Sequence, residues 1–307
     1  NSVRLTVNSP VETDVTEERR LVVELTAGII DRPFADGLFL SNRSQATYTN
    51  TLGSVTQLNA DEYRDIGAPD VQICKGITGT TNGASSASTG SPCGVPGAPN
   101  DDLTDVDASD VLTYTITARN LGSARAYGVV INDDVTTLPQ LASCNLVSVL
   151  NGAGTPLAYT GTFPSISLTD ALPGVGATGI AEAQATAVVT YTCVVADNVT
   201  PSTAVTNTAS VEFASFSDTL PGGPHLNPET VPFPPRRDSA NFTVTAAEIS
   251  KTRTPATATI GDLITYTLEI DVPGGSMSNV SVVDTLDAGL AFVDCTAVTV
   301  TPGTLVS

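Results

Sequence analysis

Residues 107–135 read DASDVLTYTITARNLGSARAYGVVINDDV, and residues 260–286 read IGDLITYTLEIDVPGGSMSNVSVVDTL. The two stretches hold register over several strand-length segments. Tyr114 falls on Tyr266, Val129 and Ile131 fall on Val280 and Val282, and Asp133 falls on Asp284. A shorter match precedes each: VQICKGIT at 71–78 and AEISKTRT at 247–254, which sets Lys75 on Lys251. Cys144 precedes Cys295 by the same interval that separates Asp133 from Asp284. A further pair, LFLSNRSQATYTN (38–50) and TAVTNTASVEFAS (203–215), places Asn42 on Asn207 and Tyr48 on Phe213. Self-similarity that keeps register over such distances marks a repeat architecture.

The repeating unit reads as strands. Segments near 20–26, 38–48, 111–119, 127–133, 184–195, 205–213, 241–249, 263–271, 279–284 and 291–300 are short, rich in Val, Ile and Thr, and separated by turn residues. The expected fold is all-β, a series of tandem immunoglobulin-like β-sandwich repeats. Residues 1–69 read as the C-terminal part of a preceding repeat, 70–245 as a complete repeat with inserted loops, and 246–307 as the N-terminal part of a following one. The stretch 216–238 (FSDTLPGGPHLNPETVPFPPRRD) reads as a long Pro-rich loop.

Composition agrees. With 20 Pro and 25 Gly among 307 residues, few long helices could persist, and 41% hydrophobic residues suffice for real cores. A formal net charge of -19 repels phosphate backbones, which argues against a nucleic-acid partner. No apolar run is long enough to span a bilayer as a helix. The five cysteines show no CxxC spacing and His225 is the single histidine, so a zinc site is not expected. Disulfides in an oxidising compartment fit better. Within the complete repeat Cys144 can pair with Cys193, and Cys74 with Cys93 around the Gly/Ser/Thr-rich loop that the third repeat lacks. Cys295 occupies the Cys144 position, so its partner is expected beyond Ser307.

These residues resemble the bacterial repeat modules called DUF11 domains and the related isopeptide-forming fimbrial domains. The resemblance rests on the Lys-led first strand (CKGIT, SKTRT), the strand entered through Gly or Asp and carrying YT (SDVLTYTITARN, GDLITYTLEI), the V-x-V-x-D strand and the tail motif TNTASV. It covers the complete repeat and the start of the third, and the first 69 residues more loosely. It implies a bacterial surface location and a role in extracellular stalks, fibres or adhesin arrays.

Strand alternation brings one chemical possibility into view. Val71, Ile73 and Lys75 share a face; so do Val129, Ile131 and Asp133, and Val205, Asn207, Ala209, Val211 and Phe213. A lysine, an acid and an asparagine therefore point toward one apolar interior. Desolvation works against the charged form of any buried group, which favours a neutral amine beside a protonated acid. The Lys75 amine could then attack the Asn207 side-chain amide while Asp133 polarises its carbonyl, leaving an intramolecular isopeptide bond and ammonia. Lys251 and Asp284 form a partial set in the third repeat, and Asn42, also read as core-facing, is the remnant of another in the first. The competing reading is a Lys75–Asp133 ion pair near the sandwich edge, with Asn207 bonded to backbone.

The run NDDLTDVDASD (100–110) reads as an acidic loop in which Asp101, Asp102, Asp105, Asp107 and Asp110 either face solvent or supply oxygens to calcium. No other cofactor is expected, and no motif for an enzyme active site is present. The leading functional expectation is a structural component of a bacterial extracellular fibre, stalk or surface layer that associates with its own kind. The alternatives are an adhesin module presenting the loops at 76–100 and 216–238, and a passive spacer of a larger secreted enzyme. An unfinished repeat also invites one chain to complete another's sandwich by strand addition.

Overall fold

In the computed structural model, the residues described are 22–26, 38–49, 52–133, 135–177, 179–215, 236–295 and 297–299. The chain divides into two compact units, 1–34 and 35–307. Of the first, residues 22–26 are described and form no regular strand, so the strand expected near 20–26 is absent there. Among its described residues the second unit is all β apart from one short 3-10 turn at Val135–Thr137. Its strands in chain order are β1 (Leu38–Thr49), β2 (Val55–Ile66), β3 (Val71–Thr80), β4 (Ser86–Thr89) and β5 (Asp101–Val106). Next come β6 (Val111–Asn120), β7 (Tyr127–Asn132), β8 (Leu141–Asn151), β9 (Tyr159–Thr160) and β10 (Ser165–Leu168). The series closes with β11 (Thr186–Val195), β12 (Ala204–Ala214), β13 (Arg237–Val244), β14 (Glu248–Thr254) and β15 (Thr265–Asp271).

Two sheets form the central sandwich. One has the order β3-β6-β11-β8, the other β4-β5-β13-β12-β7-β10-β9. The period-two pattern of β12 shows why they stack: Val205, Asn207, Ala209, Val211 and Phe213 are buried while the residues between them are not. β11 alternates in the same way, turning Val189, Tyr191, Cys193 and Val195 inward. Inward residues of both sheets, among them Ile73, Tyr114, Ile116, Ile131, Val211 and Phe242, make one continuous core.

β3 departs from this rule. Residues 71–77 are buried on both faces, because the segment that follows β3 folds back over its outer side. Cys74, on that side, is bonded to Cys93. At Gly76 a Cβ would sit 2.7 Å from the Asp101 nitrogen and 2.8 Å from the Asn100 nitrogen, so only glycine admits so close an approach. The inserted segment is also more regular than its composition suggests. β4 pairs with β5, and β5 runs parallel to β13. The acidic stretch expected as a loop therefore contributes a strand over residues 101–106, in which Leu103 and Val106 are buried and none of the carboxylates is.

Two hairpins lie outside the sandwich sheets, β1–β2 and β14–β15. Their side chains are almost entirely exposed, which corrects the expectation that Asn42 faces a core. The strand expected at 241–249 is two strands, β13 and β14, parted at residues 245–247. Residues 279–284 and the described part of 291–300 hold no strand. Most of the Pro-rich loop at 216–238 lies outside the described residues.

Candidate functional site

Lys75 projects from β3, the edge strand of the smaller sheet, yet its side chain has no solvent exposure. It is inward because Ile73 and Ile77 on either side of it belong to the core face. Asp133 follows β7 directly, and its side chain is 1% exposed. The Lys75 ammonium donates to Asp133 Oδ2 at 2.7 Å. The same oxygen accepts a hydrogen bond from the Tyr191 hydroxyl. Asn207 on β12 donates through Nδ2 to the Tyr191 oxygen at 2.9 Å. A continuous hydrogen-bonded line thus runs Lys75, Asp133, Tyr191, Asn207, alternating between the two sheets and ending in the one opposite Lys75.

Aromatic rings wall this line. Tyr114 and Tyr191 stack with centroids 5.1 Å apart, as cross-strand neighbours on β6 and β11. Phe163 tilts against Tyr191 at 4.6 Å. The Lys75 ammonium sits 5.3 Å from the Tyr114 centroid and 5.8 Å from that of Tyr191, where the ring faces offer partial compensation for lost water. Asp238 of β13 accepts from the Lys75 backbone nitrogen at 2.6 Å.

The electrostatics follow from burial. Loss of solvent pushes the Lys75 ammonium down to about 8, against the pull of Asp133 upward. Desolvation raises both Tyr114 and Tyr191 well above the ordinary phenol range, and the Asp133 charge adds to it. Among the described residues, five buried side-chain atoms lack a hydrogen-bond partner, and three belong to this site: Tyr114 Oη, Asp133 Oδ1 and Asn207 Oδ1. Leaving a buried polar atom unpaired costs about 1–3 kcal/mol each. So costly a concentration in one place singles the site out, since native folds rarely leave such groups orphaned without a reason.

The sequence brought Lys75, Asp133 and Asn207 to one interior, and the three are found together. The ion pair of the competing reading is present, on the edge strand β3 and fully buried, whereas Asn207 bonds to a side chain rather than to backbone. Tyr191 and Asp238 were not picked out. For Tyr191 a signal existed: Thr-Tyr-Thr occurs at 47–49, 113–115, 190–192 and 265–267, and the second and third of these lie directly opposite each other in the sheet.

Of the partial sets, Lys251 and Asn42 lie in the hairpins and Asp284 in the segment beyond β15. Lys251 donates to Asp284 at 2.5 Å, with side chains 39% and 30% exposed, and stands 4.6 Å from the Tyr266 centroid. Asn42 is exposed on β1. Cys144 and Cys193 face each other on β8 and β11 and are bonded, while Cys295 is a free, exposed thiol.

The aspartates of 101–110 do not converge. Asp102 accepts from the Asn241 backbone and side chain at 2.7 and 3.0 Å. Asp105 accepts from Thr104, Asp107 from Asn82, and Asp110 from the Asp107 backbone. Calcium would have to displace those donors. Among the described residues, the one cluster with metal-ligand spacing is Cys74, Cys93 and Asp238, and its two sulfurs are already joined to each other. None of the helices among these residues is long and apolar enough to cross a membrane.

No protein-family model matches the chain. No curated protein matches it either. Solved structures do. BcpA, the major pilin subunit of Bacillus cereus, is similar over 68% of this chain and 49% of its own, with 10% identity and a TM-score of 0.34. A single-substitution variant of the same pilin matches over 76% of this chain and 64% of its own, with 9% identity and a TM-score of 0.31. The chain thus spans about half the length of the first structure and less than two thirds of the second.

Proposed function

We propose that this chain is a load-bearing segment of a bacterial extracellular fibre, stalk or surface layer, and that its central module is closed by an isopeptide bond between Lys75 and Asn207. The observation that carries the reading is the buried line Lys75–Asp133–Tyr191–Asn207. A proton passes from the Lys75 ammonium to Asp133 along their hydrogen bond and leaves a neutral amine, which burial favours. The amine attacks Asn207 Cγ. The proton now on Asp133 stabilises the developing oxyanion and supplies the donor that the orphaned oxygens lack.

Tyr191 already holds the departing nitrogen. As the intermediate collapses, the Cγ–Nδ2 bond breaks and a hydrogen from the lysine nitrogen reaches Nδ2 through the tyrosine hydroxyl. Ammonia leaves, and a Lys Nζ–Asn Cγ amide remains. The amine is consumed, so the event happens once per molecule. It serves stability rather than turnover.

The consequence is mechanical. β3 and β12 lie in different sheets, so the bond would tie the two layers of the sandwich together. The two disulfides fasten neighbouring parts: Cys144–Cys193 joins β8 to β11, and Cys74–Cys93 holds the inserted segment on β3. A segment cross-linked in this manner resists pulling and proteolysis, as a fibre component must.

Intact-mass measurement of the reduced chain tests the reading. The expected result is a mass one ammonia below the sequence mass, with a branched peptide joining Lys75 to Asn207 after digestion. A full sequence mass, with both side chains free in the digest, would overturn it.

A further inference from the structure

The two exposed hairpins reproduce, separately, the two halves of the central site. In β14–β15, Lys251 lies opposite Leu268 and Arg253 opposite Tyr266. In β3–β6, Lys75 lies opposite Ile116 and Ile77 opposite Tyr114. The register is the same, and both lysines sit over the equivalent tyrosine with an aspartate in hydrogen-bond reach. In β1–β2, Asn42 lies opposite Glu62, and β2 ends at Ile66. In β12–β13, Asn207 lies opposite Ala240, and β13 ends at Val244. The asparagine again holds one place relative to the hairpin's end. One hairpin therefore carries the amine, with its acid supplied by Asp284 from the segment beyond β15, and the other carries the amide.

Each hairpin also lacks what its counterpart provides in the central module. Lys75 and Asp133 are closed off from water there, whereas Lys251 and Asp284 remain about a third exposed. On one face of β1–β2, Arg43 bonds Asp61 at 2.7 Å and Gln45 bonds Asn59 at 3.3 Å, a polar surface satisfied within the hairpin. The opposite face presents Leu40, Asn42, Ser44, Ala46 and Tyr48, with Leu58, Ala60, Glu62 and Arg64 across from them, all exposed. Glu62 stands beside Asn42 on that face, and Arg253 shares a face with Lys251. The central module likewise offers one β13 acid, Asp238, to its lysine strand.

We propose that two copies of this chain complement each other head to tail. The β1–β2 hairpin of one copy covers the β14–β15 hairpin of the next and seats Asn42 against the Lys251–Asp284 pair. The Lys251 amine then displaces ammonia from the Asn42 amide: one C–N bond forms, the Cγ–Nδ2 bond breaks, and the nitrogen leaves with a hydrogen taken from the amine. This step rests on the chemistry proposed for Lys75 and Asn207, but it joins chains instead of closing one.

The test uses the purified full chain, concentrated, incubated and separated under denaturing and reducing conditions so that Cys295 disulfides cannot contribute. A ladder of covalent oligomers is expected, with one further ammonia lost per junction. Asn42→Ala and Lys251→Ala should each abolish the ladder, and both residues are exposed enough for substitution to spare the central module. Mixing the two variants should yield a dimer and nothing larger, because each supplies only one competent hairpin. A wild-type chain that stays monomeric, a reversible dimer without a covalent bond, or a ladder that survives Lys251→Ala would each overturn the proposal. The same spectra report the Lys75–Asn207 deficit. Its presence without a ladder defeats only the head-to-tail step, whereas its absence defeats the chemistry on which both rest.

Discussion

The Lys75 ammonium meets Asp133 across 2.7 Å in a part of the core where neither side chain has more than 1% of its surface exposed. Ion pairs so placed lose much of their Coulombic gain to desolvation. A direct consequence concerns pH. In an Asn207→Ala chain, which cannot form the bond, Lys75 keeps a free amine held near 8 in the folded state against 10.5 in the unfolded one. Between those values the unfolded chain binds the extra proton, so stability rises with pH. The full gain is ~3 kcal/mol at 1.36 kcal/mol per pH unit. The two buried tyrosines act in the opposite sense from about pH 10 upward, where the unfolded phenols ionise and the folded ones do not. Denaturant midpoints of Asn207→Ala should therefore climb from about pH 8 to about pH 10. The wild-type chain, its amine consumed, should lack that rise.

Tyr191 hydrogen-bonds both the acid and the amide. Tyr191→Phe keeps the ring that stacks on Tyr114 and contacts Phe163 but removes the hydroxyl. Loss of a positioned proton relay slows a reaction by roughly 100- to 10,000-fold. Freshly refolded Tyr191→Phe should accumulate the ammonia-deficient species correspondingly slowly. If time-resolved mass spectra show a rate equal to wild type, the tyrosine has no part in the transfer.

Much of this was legible from the residues. Repetition of the Lys-led strand and of the strand that ends in Asp133 and Asp284 placed Lys75 and Asp133, and clean alternation in β12 placed Asn207, because a period of two fixes which side chains face inward. Strand β2 was hidden by its own charges. Asp61, Glu62, Arg64 and Asp65 break the alternation that marks a half-buried strand, and the hairpin buries neither face. The acidic segment 101–106 was hidden by the same effect: Asp101, Asp102 and Asp105 break the alternation, although Leu103 and Val106 are buried and the backbone pairs with β13 and β4. Tyr191 was not legible because its role arises from contacts with Asp133 and Asn207, which belong to the opposite sheet, a relation set by how the two sheets stack.

The two disulfides close loops of different length, with 19 residues separating Cys74 from Cys93 and 49 separating Cys144 from Cys193. Chain-entropy arguments assign them about 3 and about 4 kcal/mol respectively. Cys144→Ser with Cys193→Ser should consequently lower stability more than Cys74→Ser with Cys93→Ser. The second pair of substitutions should mainly release the inserted segment, read as faster proteolysis between residues 81 and 100. Equal losses of global stability would show that the insertion is integral to the sandwich.

The two lysine–aspartate pairs offer a controlled contrast, because chemistry and register match while burial does not. Asp133→Asn leaves the Lys75 charge enclosed with a neutral neighbour, and breaking a buried pair in this manner costs about 3–5 kcal/mol. Asp284→Asn leaves Lys251 with solvent access, and an exposed pair contributes about 0–1 kcal/mol. Both substitutions belong in the Asn207→Ala background, so that no covalent bond contributes to either value. Chemical denaturation should then give a large loss for Asp133→Asn and almost none for Asp284→Asn. Salt separates them further, since screening weakens the Lys251–Asp284 pair and barely reaches the enclosed one. Comparable losses for the two variants would mean that Lys251 and Asp284 are as enclosed in solution as their counterparts. The β14–β15 hairpin would then already be covered, and an incoming Asn42 would find no place beside it.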